Sequence, residues 1–167
     1  METILGLLKV RLVKGSNLAI RDRTSSDPYV VVKLGNQTVK TRVIKGDLNP
    51  VWDEELTLSI PNPTPPLKLQ VFDKDKLSKD DKMGDAVIDL QPLVMAVSMR
   101  NALPLTLTSK SETELHRLVA SKGNCLVKDS CIRHVDGKTV QEICLRLQNV
   151  ECGELELQLK WVDLPRE

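Results

Sequence analysis

Hydrophobic and polar residues alternate through much of the chain, with the period of two that is typical of half-buried strands. The first example is Leu8, Val10 and Leu12, which alternate with Lys9 and Arg11. Further segments that the pattern and its flanking turn residues predict as strands are Tyr29–Leu34, Gln37–Val43, Leu56–Ile60, Leu67–Asp73, Ala86–Leu90, Leu103–Thr108, Ser130–Val135, Lys138–Leu147 and Glu154–Val162. Many short strands separated by turns predict an all-β fold, an antiparallel sandwich.

The turn at Gly35-Asn36 predicts a hairpin and its register. In that register Tyr29 lies opposite Arg42. Side chains alternate across a strand, so one face of the hairpin should be basic and carry a single aromatic residue. Its members are Tyr29, Val31, Lys33, Thr38, Lys40 and Arg42.

Helices are expected at two places only, both in the second half of the chain. Pro92 suits the first turn of a short helix over Pro92–Met99. Ser111 and Glu114 have the spacing of a capping box, which predicts a second short helix. The apolar residues at helical spacing behind that box are Leu115, Leu118 and Val119. Beyond it, Asp136-Gly137 predicts another hairpin, with a type I′ turn.

Composition limits the function. With 41% hydrophobic and only 2% aromatic residues, the core should consist of leucine, valine and isoleucine. The net charge of +1 gives no long-range attraction to nucleic acid, so we expect no nucleic-acid partner. No signal peptide, lipidation motif or bilayer-length apolar run is expected. A hydrolase is disfavoured because the sequence lacks the GxSxG and HExxH motifs.

Five aspartates in two loops carry the most distinctive chemistry. Three of them cannot share one loop as buried charges unaided, because like charges repel and raise one another's pKa. Calcium needs six to eight oxygen ligands and prefers carboxylates and carbonyls. The five are Asp22 and Asp27 in the first loop and Asp73, Asp75 and Asp81 in the second. The backbone carbonyls of Arg21 and Lys74 and the Ser78 hydroxyl are further candidate ligands.

Two alternatives apply to these charged groups. An EF-hand does not fit, since Leu77 and Ser78 stand where that loop needs an oxygen ligand and then glycine. Acidic loops are also often simply solvated, and an outward basic strand face often serves only solubility.

The motifs around these loops resemble a C2 domain. They lie in the first two-thirds of the chain, and they are Ser26-Asp27-Pro28-Tyr29-Val30, Lys40-Thr41-Arg42, Asn49-Pro50-x-Trp52-Asp53-Glu54, Asp73-x-Asp75 with Asp81 eight residues after Asp73, and Met83-Gly84-Asp85. Four longer phrases are similar to one group, the small plant C2-domain abscisic-acid-related proteins. These phrases are Asn17-Leu18-Ala19-Ile20-Arg21-Asp22, Ser78-Lys79-Asp80-Asp81-Lys82-Met83-Gly84-Asp85, Val150-Glu151-Cys152-Gly153-Glu154 and Trp161-Val162-Asp163-Leu164-Pro165.

That resemblance implies a fold and a site. It implies an all-β, eight-stranded antiparallel C2 sandwich over residues 1–167, with a helix-containing insertion at about 109–147 between late strands. The implied calcium ligands are the side chains of Asp22, Asp27, Asp73, Asp75 and Asp81 and the main-chain oxygens of Arg21 and Lys74. The lipid-binding residues are expected at Tyr29, Lys33, Lys40, Arg42 and Leu77. Val31 is apolar where related domains carry a basic residue.

The resemblance also implies a function. It is calcium-dependent binding to anionic phospholipid membranes, with recruitment of abscisic acid receptors to the plasma membrane and further pools in cytoplasm and nucleus. The chain is expected to be a binding module rather than an enzyme. The alternative is a GTPase or G-protein activator that acts through the insertion, for which Arg100, Arg117, Arg133 and Arg146 are candidate arginine fingers.

Overall fold

The computed structural model describes residues 3–102 and 112–165. Within these ranges the chain forms ten strands and one helix. In chain order they are β1 (Thr3–Ser16), β2 (Pro28–Leu34), β3 (Gln37–Lys40), β4 (Val51–Asn62), β5 (Leu67–Asp73), β6 (Asp81–Ile88), α1 (Gln91–Ala102), β7 (Glu112–Leu118), β8 (Ser130–Val135), β9 (Lys138–Arg146) and β10 (Glu154–Val162).

The strands build two antiparallel sheets that pack face to face. Sheet A has the order β4-β1-β10-β9-β8-β7, and sheet B has the order β3-β2-β5-β6. The alternating apolar residues of both sheets point inward, as in Leu155, Leu157 and Leu159 of β10. The sandwich prediction is therefore confirmed, but the described ranges contain ten strands instead of eight. The difference arises because β8 and β7 add to the edge of β9 and widen sheet A.

The helix predicted behind Ser111 is wrong over the described residues. Glu112–Leu118 is strand β7, which pairs with β8 from Glu112 opposite Val135 to Leu118 opposite Ser130. The edge of β8 offers backbone partners along this whole segment, and that pairing outweighs the local capping pattern. Ser111 itself and the strand predicted over Leu103–Thr108 lie outside the described residues.

The other helix prediction is confirmed, and α1 is longer than expected. Asp89 Oδ1 accepts a hydrogen bond from the Gln91 backbone N–H at 3.0 Å, which caps the first turn. Leu93, Ala96 and Val97 are buried against the core. Across the described ranges, no helix combines the length and apolar character that a bilayer crossing needs.

Trp52 anchors the strands beneath one end of the sandwich. The ring is fully buried, and Nε1 donates a hydrogen bond to the Pro28 carbonyl at 3.3 Å. Because Pro28 begins β2 and Trp52 lies near the start of β4, this contact holds the two sheets together where the acidic loops begin.

Candidate metal centre

Strand register brings the acidic loops to one end of the sandwich. Ser16 at the end of β1 pairs with Glu154 at the start of β10. Asp73 at the end of β5 pairs with both Pro28 and Asp81, the first residues of β2 and β6. The connections 17–27, 74–80 and 147–153 therefore leave the sheets at the same end, which we call the acidic tip.

Three carboxylates converge in the acidic tip. Asp22, Asp27 and Asp73 each place a carboxylate oxygen within 4.8 Å of the other two. Asp22 is exposed, whereas Asp73 is only 1% exposed. This arrangement brings together one strand-end residue and two residues of the first loop.

Asp73 is the buried centre of the group. Its Oδ1 accepts a hydrogen bond from the Asp27 N–H at 2.7 Å, and its Oδ2 is buried without a hydrogen-bond partner. Burial, together with the neighbouring Asp22 and Asp27 carboxylates, raises the pKa of Asp73 to about 6, although the hydrogen bond from Asp27 opposes the shift. A buried, unpaired carboxylate oxygen beside two more carboxylates fits a hard cation.

Asp27 ties three loops together at this point. Its Oδ1 accepts a hydrogen bond from the Gly46 N–H at 2.8 Å, and its carbonyl accepts one from the Lys74 N–H at 3.0 Å. Gly46 lies in the connection 41–50 and has a φ of +63°, which favours glycine. The carboxylates are thus held by backbone contacts rather than by flexible side chains alone.

Ser26 shapes the first loop, a role that the sequence does not reveal beyond its place in the motif. The fully buried Ser26 hydroxyl accepts a hydrogen bond from the Arg21 N–H and donates one to the Ala19 carbonyl, each at 2.8 Å. The Asp22 N–H donates to the Ser25 carbonyl at 2.9 Å. These bonds fold the loop back so that Asp22 faces the strand end.

Asp75 and Asp81 lie outside the group of three. The Asp75 carboxylate accepts hydrogen bonds from the Leu77 N–H at 3.0 Å and the Ser78 hydroxyl at 2.8 Å. These bonds lower the pKa of Asp75. Asp81 is an exposed residue at the start of β6. Their roles as ligands, and those of the Arg21 and Lys74 carbonyls, stay predictions.

The outer side of sheet B carries the basic face that the hairpin predicts. The predicted pairs of Lys33 with Thr38 and of Val31 with Lys40 are present. Lys68 lies opposite Lys33 on β5 and enlarges the face, and Tyr29 stacks on Phe72 with ring centroids 5.7 Å apart. We call basic face the outward-pointing residues of β2, β3 and β5, which are Tyr29, Val31, Lys33, Thr38, Lys40, Lys68, Gln70 and Phe72.

The predicted pairing of Tyr29 with Arg42 is wrong, because β3 ends at Lys40. The Thr41 hydroxyl accepts a hydrogen bond from the Val30 N–H and turns the chain out of the sheet. The Arg42 guanidinium then binds Glu54 Oε1 at 3.4 Å and the carbonyl of Trp52. Its function in lipid binding stays a prediction.

Two apolar side chains project from the acidic tip. Leu77 is 98% exposed, and its contact with lipid stays a prediction. Ile20 is 50% exposed and was not predicted, because its neighbours Leu18 and Ala19 are apolar too and are buried. Only the fold shows that Ile20 points out from the first loop.

The sequence and the fold of the chain are similar to those of known proteins. A family model for the C2 domain matches residues 6–105. Protein C2-DOMAIN ABA-RELATED 3 from Arabidopsis thaliana is 50% identical over 166 residues, which cover 99% of the chain and 95% of that protein. The chain belongs to the C2-domain abscisic-acid-related family.

Two further similarities extend the comparison. GTPase activating protein 1 from Oryza sativa subsp. japonica is 49% identical to this family member over 162 residues, which cover 97% of the chain and 94% of that protein. The calcium-bound tandem C2 domains of Extended-Synaptotagmin 2 superpose with a TM-score of 0.66 at 22% identity. That match covers 98% of this chain and 48% of the two-domain structure, and it supports the fold.

Proposed function

We propose that this C2-domain protein binds anionic phospholipid membranes in a calcium-dependent way and acts there as an adaptor for a protein partner. The observation that carries the proposal is the buried Asp73 Oδ2, which lacks a hydrogen-bond partner beside the Asp22 and Asp27 carboxylates. A buried carboxylate oxygen without a partner calls for a water or an ion, and the two neighbouring carboxylates favour a cation.

Calcium fits this donor set better than magnesium, which keeps most of its water ligands and rarely uses an all-protein carboxylate cage. Asp22, Asp27 and Asp73 would hold the ion, and Asp75 and Asp81 border the same loop. Bound calcium would supply positive charge and open coordination positions for the phosphate oxygens of lipid headgroups.

Two surfaces of the protein would contact the membrane, the acidic tip and the basic face. The three clustered carboxylates of Asp22, Asp27 and Asp73 repel the phosphates of an anionic bilayer, so membrane contact at this point depends on neutralising them. Lys33 and Lys40 on the basic face attract the bilayer, by about 1 kcal/mol for each cation near its surface. Leu77 and Ile20 are placed to enter the headgroup layer with their apolar side chains.

The names of the relatives support the proposed partner, and the proposed location depends on that partner. Several similar proteins from Arabidopsis thaliana carry the name C2-DOMAIN ABA-RELATED, which supports abscisic acid receptors as the recruited partners. Recruitment would place the protein at the inner side of the plasma membrane as a peripheral protein, with pools in the cytoplasm and nucleus.

GTPase activation is the second candidate, and the name of the rice relative favours it. The structure restricts which arginine is available for it. Arg100 is buried and bound to Thr139 and Asp163, and Arg117 and Arg133 pair with glutamates. Arg146 is exposed, and within ranges 3–102 and 112–165 it forms no ion pair. GTP turnover of a candidate GTPase with Arg146→Ala and with wild type would test this function.

Vesicle co-sedimentation tests the main proposal. Wild type should pellet with vesicles of phosphatidylcholine and phosphatidylserine in calcium and stay in solution with chelator. Asp22→Ala/Asp27→Ala should lose the calcium-dependent fraction, whereas Asp136→Asn, which removes a carboxylate from the β8–β9 turn, should behave as wild type. Undiminished calcium-dependent binding by the double variant would refute the metal site.

A further inference from the structure

One carboxylate joins the acidic tip to the basic face. Asp80 Oδ2 accepts a hydrogen bond from the Tyr29 hydroxyl, and Asp80 Oδ1 accepts one from the Asp75 N–H at 2.9 Å. The Lys74 Nζ lies 3.8 Å from the same Oδ2. From sequence alone Asp80 is an ordinary surface residue, but in the structure three donors from two elements surround it.

These donors are the groups that would bind a phosphate. A phenol hydroxyl and an ammonium group can only offer protons to an anion, and both are common ligands of phosphate oxygens. Tyr29 is also part of the basic face, stacked on Phe72, and Phe72 lies opposite Lys82 on β6. The Asp80 carboxylate therefore occupies the end of the basic face that lies nearest to the acidic tip.

We propose that Asp80 limits the binding of anionic headgroups to the lipid surface, because its carboxylate fills the corner between Tyr29 and Lys74 that a headgroup phosphate would otherwise fill. This inference rests on the proposed membrane function. In the metal-free protein an incoming phosphate meets a carboxylate of like charge and finds the Tyr29 hydroxyl already engaged. Anionic headgroups are thereby confined to the Lys33–Lys40 end of the face.

The Asp80 contacts also connect this corner with the loop that borders the metal site. The Asp80 carboxylate accepts a hydrogen bond from the Asp75 N–H, and the Asp75 carboxylate accepts hydrogen bonds from the Leu77 N–H and the Ser78 hydroxyl. A headgroup that displaced Asp80 would release the loop 74–80 at the same time. Without calcium, Asp80 thus keeps the most tip-proximal donors away from the membrane.

Asp80→Asn is the direct test, since an amide retains an acceptor for the Asp75 N–H and removes the charge. Binding to vesicles of equal parts phosphatidylcholine and phosphatidylserine is measured in chelator. We expect about fivefold tighter binding than wild type, the effect of removing one repelling charge close to the bilayer. Asp136→Asn, which makes the same charge change at a distant turn, should bind as wild type. Equal binding by Asp80→Asn and wild type would overturn the proposal.

A second variant distinguishes two causes of tighter binding, the release of the Tyr29 hydroxyl from Asp80 and a simple change in net charge. If Asp80 masks the Tyr29 hydroxyl, its replacement should gain less in a Tyr29→Phe background, where the donor is missing. An undiminished gain in that background would overturn the assignment of this corner. Asp80→Ser, whose hydroxyl can also accept from the Asp75 N–H, serves if Asp80→Asn fails to fold.

Two controls separate the possible failures. In the first control, inorganic phosphate replaces the vesicles as the ligand. Asp80→Asn should bind inorganic phosphate no more tightly than wild type does. An affinity gain as large as the gain for vesicles would refute the assignment to lipid. Wild type with calcium tests the underlying function. If wild type binds in calcium but Asp80→Asn gains nothing in chelator, the role of Asp80 is refuted and the membrane function stands. If wild type fails to bind in calcium, the proposed function itself is refuted.

Discussion

Arg21 and Glu151 form a two-point ion pair across the acidic tip. Arg21 Nη1 and Nη2 donate to the two Glu151 carboxylate oxygens at 2.9 and 2.7 Å, and Arg21 Nε donates to the Lys82 carbonyl at 3.0 Å. The guanidinium lowers the pKa of Glu151 to about 2. The pair links the first loop to the β9–β10 connection. Glu151 also neutralises the Arg21 cation, which lies next to the group of Asp22, Asp27 and Asp73 in the chain.

Removing the charge of Glu151 should therefore weaken calcium binding. In Glu151→Gln the Arg21 guanidinium is left uncompensated beside Asp22, and the first loop loses one of its fixed points. We expect the calcium dissociation constant, measured by calorimetry, to rise about two- to fivefold. Glu112→Gln breaks the Arg133 pair elsewhere in sheet A and should leave calcium affinity unchanged. A similar effect of both variants would contradict this role for Glu151.

Asp73→Asn should stabilise the metal-free protein while it removes calcium binding. The wild-type carboxylate is buried with one oxygen unpaired, and its raised pKa of about 6 means that holding it ionised at neutral pH costs folding free energy. An amide retains the contact with the Asp27 N–H and can donate to a neighbouring carboxylate. We expect the free energy of unfolding in chelator to increase by about 1–2 kcal/mol, which corresponds to a Tm rise of a few degrees.

Asp22→Asn is the matched comparison for that experiment. Asp22 is exposed, so its replacement should change the metal-free Tm little while still weakening calcium binding. If Asp73→Asn lowered the Tm in chelator, the unpaired oxygen would have to be satisfied in solution, and the argument for a cation would lose its main support.

Tyr29 should titrate well above an ordinary tyrosine. Burial and the hydrogen bond to Asp80 raise the pKa of Tyr29 to about 12. Because the folded protein keeps this proton longer than the unfolded chain, its contribution to stability is complete below about pH 10 and is lost as the pH rises from about 10 to 12. The chain has a single tyrosine, so absorbance at the phenolate band reports it directly. Asp80→Asn should move the midpoint down, and an unchanged midpoint would contradict the hydrogen bond.

The two parts of the predicted lipid surface should respond differently to substitution. Lys33→Ala/Lys40→Ala removes two cations from the basic face, and we expect about thirtyfold weaker binding to anionic vesicles, at about 1 kcal/mol for each cation. Arg42→Ala should weaken binding less than Lys40→Ala alone and should lower the Tm, since Arg42 holds Glu54 and the Trp52 carbonyl. Equal losses of vesicle affinity in Arg42→Ala and Lys40→Ala would show that Arg42 does contribute to lipid binding.

Local patterns predicted the parts of the fold that local forces decide. The Gly35-Asn36 turn sets its own register, so the pairs of Lys33 and Val31 were predictable. Asp136 and Gly137 both have positive φ, as the type I′ turn requires. The helix predicted after Ser111 was wrong because the structure of that segment depends on pairing with the edge of β8, which no local pattern describes.

The candidate site shows the same division. Asp22, Asp27 and Asp73 were predictable because their residue type and loop positions determine their chemistry. The contacts of Asp80 with Tyr29 and of Arg21 with Glu151 join separate loops, and their partners become neighbours only after folding. Arg42 was misplaced because a single hydroxyl contact at Thr41 ends the strand before it.

Asp73 ends a central strand and pairs with the first residues of both neighbouring strands. An ion bound there would be part of the sheet ends rather than of a mobile loop, so its binding free energy would add to the unfolding free energy of the whole sandwich by mass action. Calcium concentration would then influence how long each molecule survives between synthesis and degradation.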